Sequence, residues 1–140
     1  TRTSQSARIL AHNLDGIAII YDQRLRERNL GEFEDRPIQE LYQAIPDQEL
    51  HWHDSTHGME SYQEVFNRMK AWFEETEQRF SGEVIAVVSH SAPLHILFCW
   101  LQGLRDEELS PRSISAQAIR GLENGEYRKV TERINPQSDL

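Results

Sequence analysis

Residues 84–94, Val-Ile-Ala-Val-Val-Ser-His-Ser-Ala-Pro-Leu, place a histidine at the point where one apolar segment gives way to another. Val84, Ile85, Ala86, Val87 and Val88 run continuously apolar instead of alternating, which is the pattern of a strand covered on both faces in a parallel sheet. His90 falls where that strand ends. Pro93 follows Ser91 and Ala92 and precedes Leu94, Ile96, Leu97, Phe98, Trp100 and Leu101. It therefore sits in the first turn of a helix, where its missing N–H costs nothing. Ligands of open α/β sheets bind at the carboxyl ends of strands, and the unpaired N–H groups that open a helix favour anions such as phosphate. On these residues alone His90 has two readings: a turn residue bonding a nearby carbonyl, or a side chain touching a bound anion.

The other concentration of reactive side chains is His51-Trp52-His53-Asp54-Ser55-Thr56-His57, which holds three of the six histidines. His51, His53, Asp54 and His57 could offer nitrogen and oxygen ligands to a metal. Their spacing matches none of the zinc patterns with a mechanical basis, such as two histidines a helical turn apart around a glutamate. The stretch reads as a polar surface loop, and no metal is assigned to it.

These residues must be positioned by one domain, since 140 residues suffice for a single core. The formal charge of −8 argues against broad electrostatic binding to nucleic acid or to anionic membrane surfaces, so any anion site must be a local concentration of basic groups. The single cysteine, Cys99, lies within an apolar helix and reads as a packed core thiol, in keeping with a reducing, cytoplasmic setting. No apolar run has the length to span a bilayer, and no signal-peptide pattern opens the chain. With no initiator methionine, and helix directly after Thr1, the chain is expected to begin inside a longer protein.

In chain order, Ala7, Ile9, Leu10, Ala11 and Leu14 mark a helix from about Ser4 that ends near Asp15-Gly16. An apolar strand follows over 17–21. Residues 22–35, dense in charge and containing Gly31, form a long loop leaving that strand, and such loops carry sites. Pro37 opens a short helix with Ile38, Leu41 and Tyr42 on one side, closed by Pro46. Ser61 and Glu64 form a capping box ahead of a helix whose inner face is Tyr62, Val65, Phe66, Met69, Trp72, Phe73 and Phe80. Ser81-Gly82 ends that helix and leads into the strand at Val84. Residues 106–113 read as a polar loop, and Asn124-Gly125 signals a hairpin joining two final, antiparallel strands.

Five segments carry a resemblance. Arg2-Thr3-Ser4-Gln5-Ser6-Ala7 resembles the Arg-x-x-Gln-Thr-Ala segment of the histidine phosphatase superfamily, also called the phosphoglycerate mutase-like family. Leu25 to Glu34 resembles its Leu-x-Glu-x-x-x-Gly-x-Trp-Glu segment, and Gly58-Met59-Glu60-Ser61 with Arg68 its Gly-x-Glu-Ser and downstream arginine. Val88-Ser89-His90-Ser91 resembles Val-x-His-Gly, and Ile134-Asn135-Pro136 with Leu140 the closing Leu-Asn segment. The resemblance implies an α/β fold, a three-layer α/β/α sandwich around a mostly parallel sheet, as one domain over 1–140 whose first strand precedes Thr1. The short connection from Glu27 to His90 is similar to that of the phosphatase branch.

In this family a histidine attacks a phosphoryl group, in a pocket of two arginines and a second histidine that neutralises the equatorial oxygens. The resemblance makes Arg2 one of those arginines and His90 the second histidine, with Ser91 beside it in the phosphate site. Glu27 becomes the acid that protonates the departing alkoxide and then the base that activates water, and Arg28 a substrate contact. Without the family match, Arg2 reads as a terminal side chain and Glu27 as a solvated loop carboxylate. The nucleophile belongs to an Arg-His-Gly signature on the first strand, expected upstream of Thr1; none of the six histidines matches it. Ser91 stands where glycine is usual, Phe33 where tryptophan is, and Asp35 where glycine is common.

Three functions are therefore weighed. The first is a cofactor-independent phosphatase of a small phosphorylated metabolite, with a phosphoglycerate mutase as the nearest enzymatic alternative. The second is an inactive relative that keeps the anion pocket for binding. The third is a metal-dependent hydrolase built on the histidine-rich loop.

Overall fold

The computed structural model describes residues 2–14, 17–45, 52–105 and 109. The expected closing loop and hairpin, the Asp15-Gly16 cap, Pro46 and His51 lie outside the described residues. Helix α1 spans Arg2–Asn13, α2 Ile38–Ala44, α3 Tyr62–Arg79 and α4 Ser91–Leu101, with single 3-10 turns at Gln23–Leu25, Gly31–Phe33 and Thr56–Gly58.

The capping box forms in full. The Ser61 hydroxyl accepts the Glu64 N–H at 3.2 Å while the Glu64 carboxylate accepts the Ser61 N–H at 2.7 Å. Two of the N–H groups that open α3 are thereby satisfied, and the start of the helix is fixed. From there Val65, Met69 and Trp72 recur at helical spacing and are buried. They pack against Ile96, Leu97, Cys99, Trp100 and Leu101 of α4, with Trp52 and Leu109 completing the core. Phe66 and Phe73 meet the Trp100 ring edge-on, with centroids 5.8 and 5.6 Å apart. That geometry sets the positive ring edge of one against the negative face of the other. Cys99 is fully buried within this core.

A smaller cluster of Phe33, Leu41, Ile45 and Met59, flanked by Leu30, joins α2 to the turns at Gly31 and Gly58. Of the side expected for α2, Leu41 is buried while Ile38 and Tyr42 are exposed, because this cluster touches only one residue width of so short a helix. Helix α1 buries none of its residues; Ile9 and Leu10 are exposed, as is Leu14 just after the helix.

The two segments expected as strands, 17–21 and 84–88, form no sheet ladder among the described residues. Their apolar side chains are open: Ile17, Ile20, Tyr21 and Ile85 are exposed, and Val84 is 96 % accessible. A strand of a parallel sheet is stabilised by neighbours on both edges and cover on both faces, and these segments have neither among the described residues.

Candidate active site

His90 is the N-cap of α4, with extended backbone at φ −120 and ψ 171 and no capping bond from its side chain. The ring is therefore free to turn outward from the helix start. Its Nε2 lies 3.5 Å from Thr3 Oγ1 in the first turn of α1, and its Nδ1 lies 3.8 Å from Glu27 Oε2. The imidazole thus stands between two helix N-termini and one carboxylate. Both helix ends carry the positive pole of the peptide dipoles, so the space between them favours an anion. Arg2, the residue before Thr3, is exposed at the start of α1, and Ser91 is exposed as the first residue of α4. Ser91 has ordinary helical backbone, so its position demands no glycine.

Glu27 is half-buried on the loop expected to carry the site, and its Oε1 accepts the Arg28 N–H at 2.9 Å. Arg28 packs against the start of α3. It is 4 % exposed, its Nε donates to Glu60 O at 2.6 Å and its guanidinium lies 4.0 Å from the Tyr62 ring centroid. Arg28 Nη2 is buried with no hydrogen-bond partner among the described residues.

The loop is held from several sides. Asp22 caps the 3-10 turn by accepting the Arg24 N–H at 2.8 Å and pairs with the Arg24 guanidinium, which also reaches Glu75 on α3 at 2.8 Å. Ser89 Oγ donates to Leu25 O at 2.6 Å and so ties the residue before His90 to the loop of Glu27. Arg68, from α3, grips Glu60 with Nε and Nη2 and donates to the carbonyls of Arg24 and Glu27. Thr3, Ser89, Glu60 and Arg68 carried no assigned role in the sequence. The signal for all four was their place inside the recognised motifs.

Backbone conformation accounts for one motif departure and side-chain packing for another. Asp35 has φ +60, a left-handed conformation in which glycine is the least strained residue and Asp one of the best-tolerated alternatives. Phe33 fills the tryptophan position as a buried side chain, its ring edge-on to His57 at 5.4 Å. The histidine-rich loop disperses its imidazoles: His53 Nδ1 meets Gln63 Oε1 at 2.8 Å and His57 Nδ1 faces Glu32 at 3.4 Å. Among the described residues no group of three or more His, Cys, Asp or Glu side chains is placed to hold a metal ion.

Two carboxyls in this frame titrate below their ordinary range. Burial pushes Glu60 up, but the hydrogen bond from Arg68, the Asn29 N–H and the charges of Arg68 and Arg26 outweigh it. Asp22 is held low by its hydrogen bond from Arg24, against a smaller opposing effect of burial. A carboxyl whose pKa is lower folded than unfolded adds stability that is present above the unfolded value and lost as pH falls through the folded one. The urea midpoint of the full-length protein is therefore expected to fall progressively below about pH 5, and Asp22→Asn to flatten part of that fall. A midpoint unchanged down to about pH 3 would contradict both assignments.

Comparison with known proteins places the chain in a family. The family model of the histidine phosphatase superfamily (branch 1) matches residues 1–137. Phosphoserine phosphatase 1 of Hydrogenobacter thermophilus is 29 % identical over 99 residues, covering 67 % of this chain and 46 % of the relative. A probable phosphoglycerate mutase GpmB of Yersinia enterocolitica is 33 % identical over 111 residues, covering 74 % and 50 %. The chain spans about half the length of the curated relatives it matches. In fold it is similar to YhfR of Bacillus stearothermophilus, with TM-score 0.68 and 24 % identity over 79 % of this chain and 56 % of that one. A structure described as mycobacterial hydrolase 1 gives TM-score 0.65 at 21 % identity, over 86 % and 58 %. Among the described residues no helix is long and apolar enough to cross a membrane. The α/β fold is that of the phosphoglycerate mutase-like proteins, and the chain belongs to the histidine phosphatase superfamily.

Proposed function

We propose that the full-length protein is a cytoplasmic, cofactor-independent phosphatase of a small phosphorylated metabolite, acting through a phosphohistidine. The observation that carries this is His90, held at the N-terminus of α4 between Thr3 at the N-terminus of α1 and the Glu27 carboxylate. The phosphoryl group sits between the two helix ends, its oxygens met by Arg2, His90 and Ser91. A nucleophilic histidine upstream of Thr1 attacks phosphorus, the bond to the ester oxygen breaks, and Glu27 gives its proton to that oxygen. The Glu27 carboxylate then takes a proton from water, whose oxygen attacks the phosphohistidine, releasing phosphate and the free imidazole. Arg28, next to Glu27 in the chain, is assigned to an anionic group of the substrate.

The sheet that the family implies is part of this proposal, with 17–21 and 84–88 as parallel strands whose carboxyl ends open on the site. The name of the phosphoserine phosphatase relative supports hydrolysis, and that of the GpmB relatives supports a mutase as the second reading.

The test is phosphate release by the full-length protein from p-nitrophenyl phosphate. His90→Ala is expected to lower kcat by about 10²–10³-fold, the usual effect of removing one donor to the developing charge. Full rate in both His90→Ala and Glu27→Ala sinks the proposal. Phosphate binding without turnover supports an inactive relative, and interconversion of phosphoglycerate isomers a mutase.

A further inference from the structure

The Glu27 side chain is loosely held. Among the described residues its carboxylate accepts one N–H, from the next residue; it lies 3.8 Å from His90 and is 43 % exposed. Where its acid stands is therefore set by the backbone of residues 24–29. That backbone belongs to no helix beyond the turn ending at Leu25, and among the described residues to no sheet. Its polar groups are instead gathered by two side chains. Arg68, on α3, donates to the carbonyls of Arg24 and Glu27, bracketing the turn into Glu27. Glu60 accepts the Asn29 N–H at 3.1 Å and the Arg26 guanidinium at 3.0 Å. The main chain of Glu60 adds two more links, its N–H donating to Asn29 O at 2.9 Å and its carbonyl accepting Arg28 Nε at 2.6 Å.

The two side chains are joined to each other by Arg68 Nε to Glu60 Oε1 at 2.7 Å and Nη2 to Oε2 at 3.1 Å. Both are nearly buried, at 10 % and 9 % exposure. A planar fork with five N–H donors satisfies a carboxylate and two carbonyls at once, which an ammonium cannot do in a fixed geometry. Arg68 is anchored on the helix whose other face builds the core, between Val65 and Met69 and Trp72, so the clamp has a rigid base.

We infer that the Arg68–Glu60 pair is a positioning device for Glu27, fixing the loop on both sides of it so that its carboxyl meets the ester oxygen. The inference rests on the reading of Glu27 as proton donor. Misplacing a catalytic group by about 1 Å costs about 10²-fold.

The readout is the leaving group. An alkoxide departs only when protonated, whereas nitrophenolate departs without help, so displaced acid slows alkyl esters selectively. In kcat/KM, which ends at the first irreversible step, Arg68→Lys and Glu60→Gln are expected to lose about 10–100-fold on glycerol phosphate. On p-nitrophenyl phosphate the loss is expected to be within about threefold, and KM for both esters to change little. Lys keeps the charge and Gln the shape, and circular dichroism confirms that each variant folds. Arg68→Gln replaces whichever one does not.

Equal losses on the two esters, or none on either, overturn the inference and make the pair purely structural. Selective loss in Glu27→Gln without it in the pair variants overturns the positioning role alone. Glu27→Gln that spares glycerol phosphate overturns the acid reading and the inference together.

Discussion

Glutamine at position 27 is expected to lower kcat/KM of the full-length protein on glycerol phosphate by about 10²–10⁴-fold, about 3–5 kcal/mol of transition-state stabilisation. The substitution keeps length and shape. The amide oxygen can still accept the Arg28 N–H that Oε1 accepts at 2.9 Å, so the loop retains that contact. What is lost is the exchangeable proton. Glycerol phosphate releases an alkoxide whose departure stalls without it, while p-nitrophenyl phosphate is expected to lose less than about tenfold in kcat/KM. Its kcat is expected to fall further, because the same carboxylate serves as base when water attacks the phosphohistidine. The split between the two constants on one ester separates the acid role from the base role. Equal effects on both esters in kcat/KM would remove Glu27 from leaving-group protonation.

The parts of this site that could be read from the sequence are those fixed by local grammar. The helix that opens directly after His90, the capping box at Ser61 and Glu64, and the apolar stripe from Val65 to Trp72 are each set within a few residues. Each appears where its spacing places it. The side chains that hold Glu27 in place were not readable in that way. Arg68 and Glu60 act across 44 and 31 residues of chain, on Arg24 and Asn29, and nothing local in Asn67-Arg68-Met69 or Met59-Glu60-Ser61 distinguishes a clamp from a solvated charge. Arg28 shows the same limit from the other side. Its burial against Tyr62 and Glu60 O depends on where α3 starts. The glycine usual at position 35 likewise has a conformational cause, φ +60, that a residue name alone does not disclose.

Alanine at Gly31 is expected to destabilise the full-length protein by about 2–5 kcal/mol. Two costs add. Gly31 has φ +56, where an L side chain is strained by about 1–3 kcal/mol. An added Cβ would also stand 2.2 Å from His57 O, 2.5 Å from Gly58 C and 2.7 Å from Met59 N. All three are backbone atoms, so no rotamer change relieves the overlap and one loop must move off the other. Alanine's smaller unfolded-state entropy returns less than about 1 kcal/mol. Gly82 supplies the control, for its φ of +81 is equally left-handed but a Cβ there meets nothing within 4 Å. Gly82→Ala should therefore show the conformational cost alone, and a melting-temperature loss equal to that of Gly31→Ala would dismiss the close approach as the cause. The two turns in contact are those of the Leu25–Glu34 and Gly58–Ser61 motifs, and the second leads directly into Glu60. Separating them pulls Glu60 away from Asn29, so the folded fraction of Gly31→Ala is expected to lose glycerol phosphate hydrolysis more than p-nitrophenyl phosphate hydrolysis. The glycine thus joins the stability of the loop to the placement of its acid.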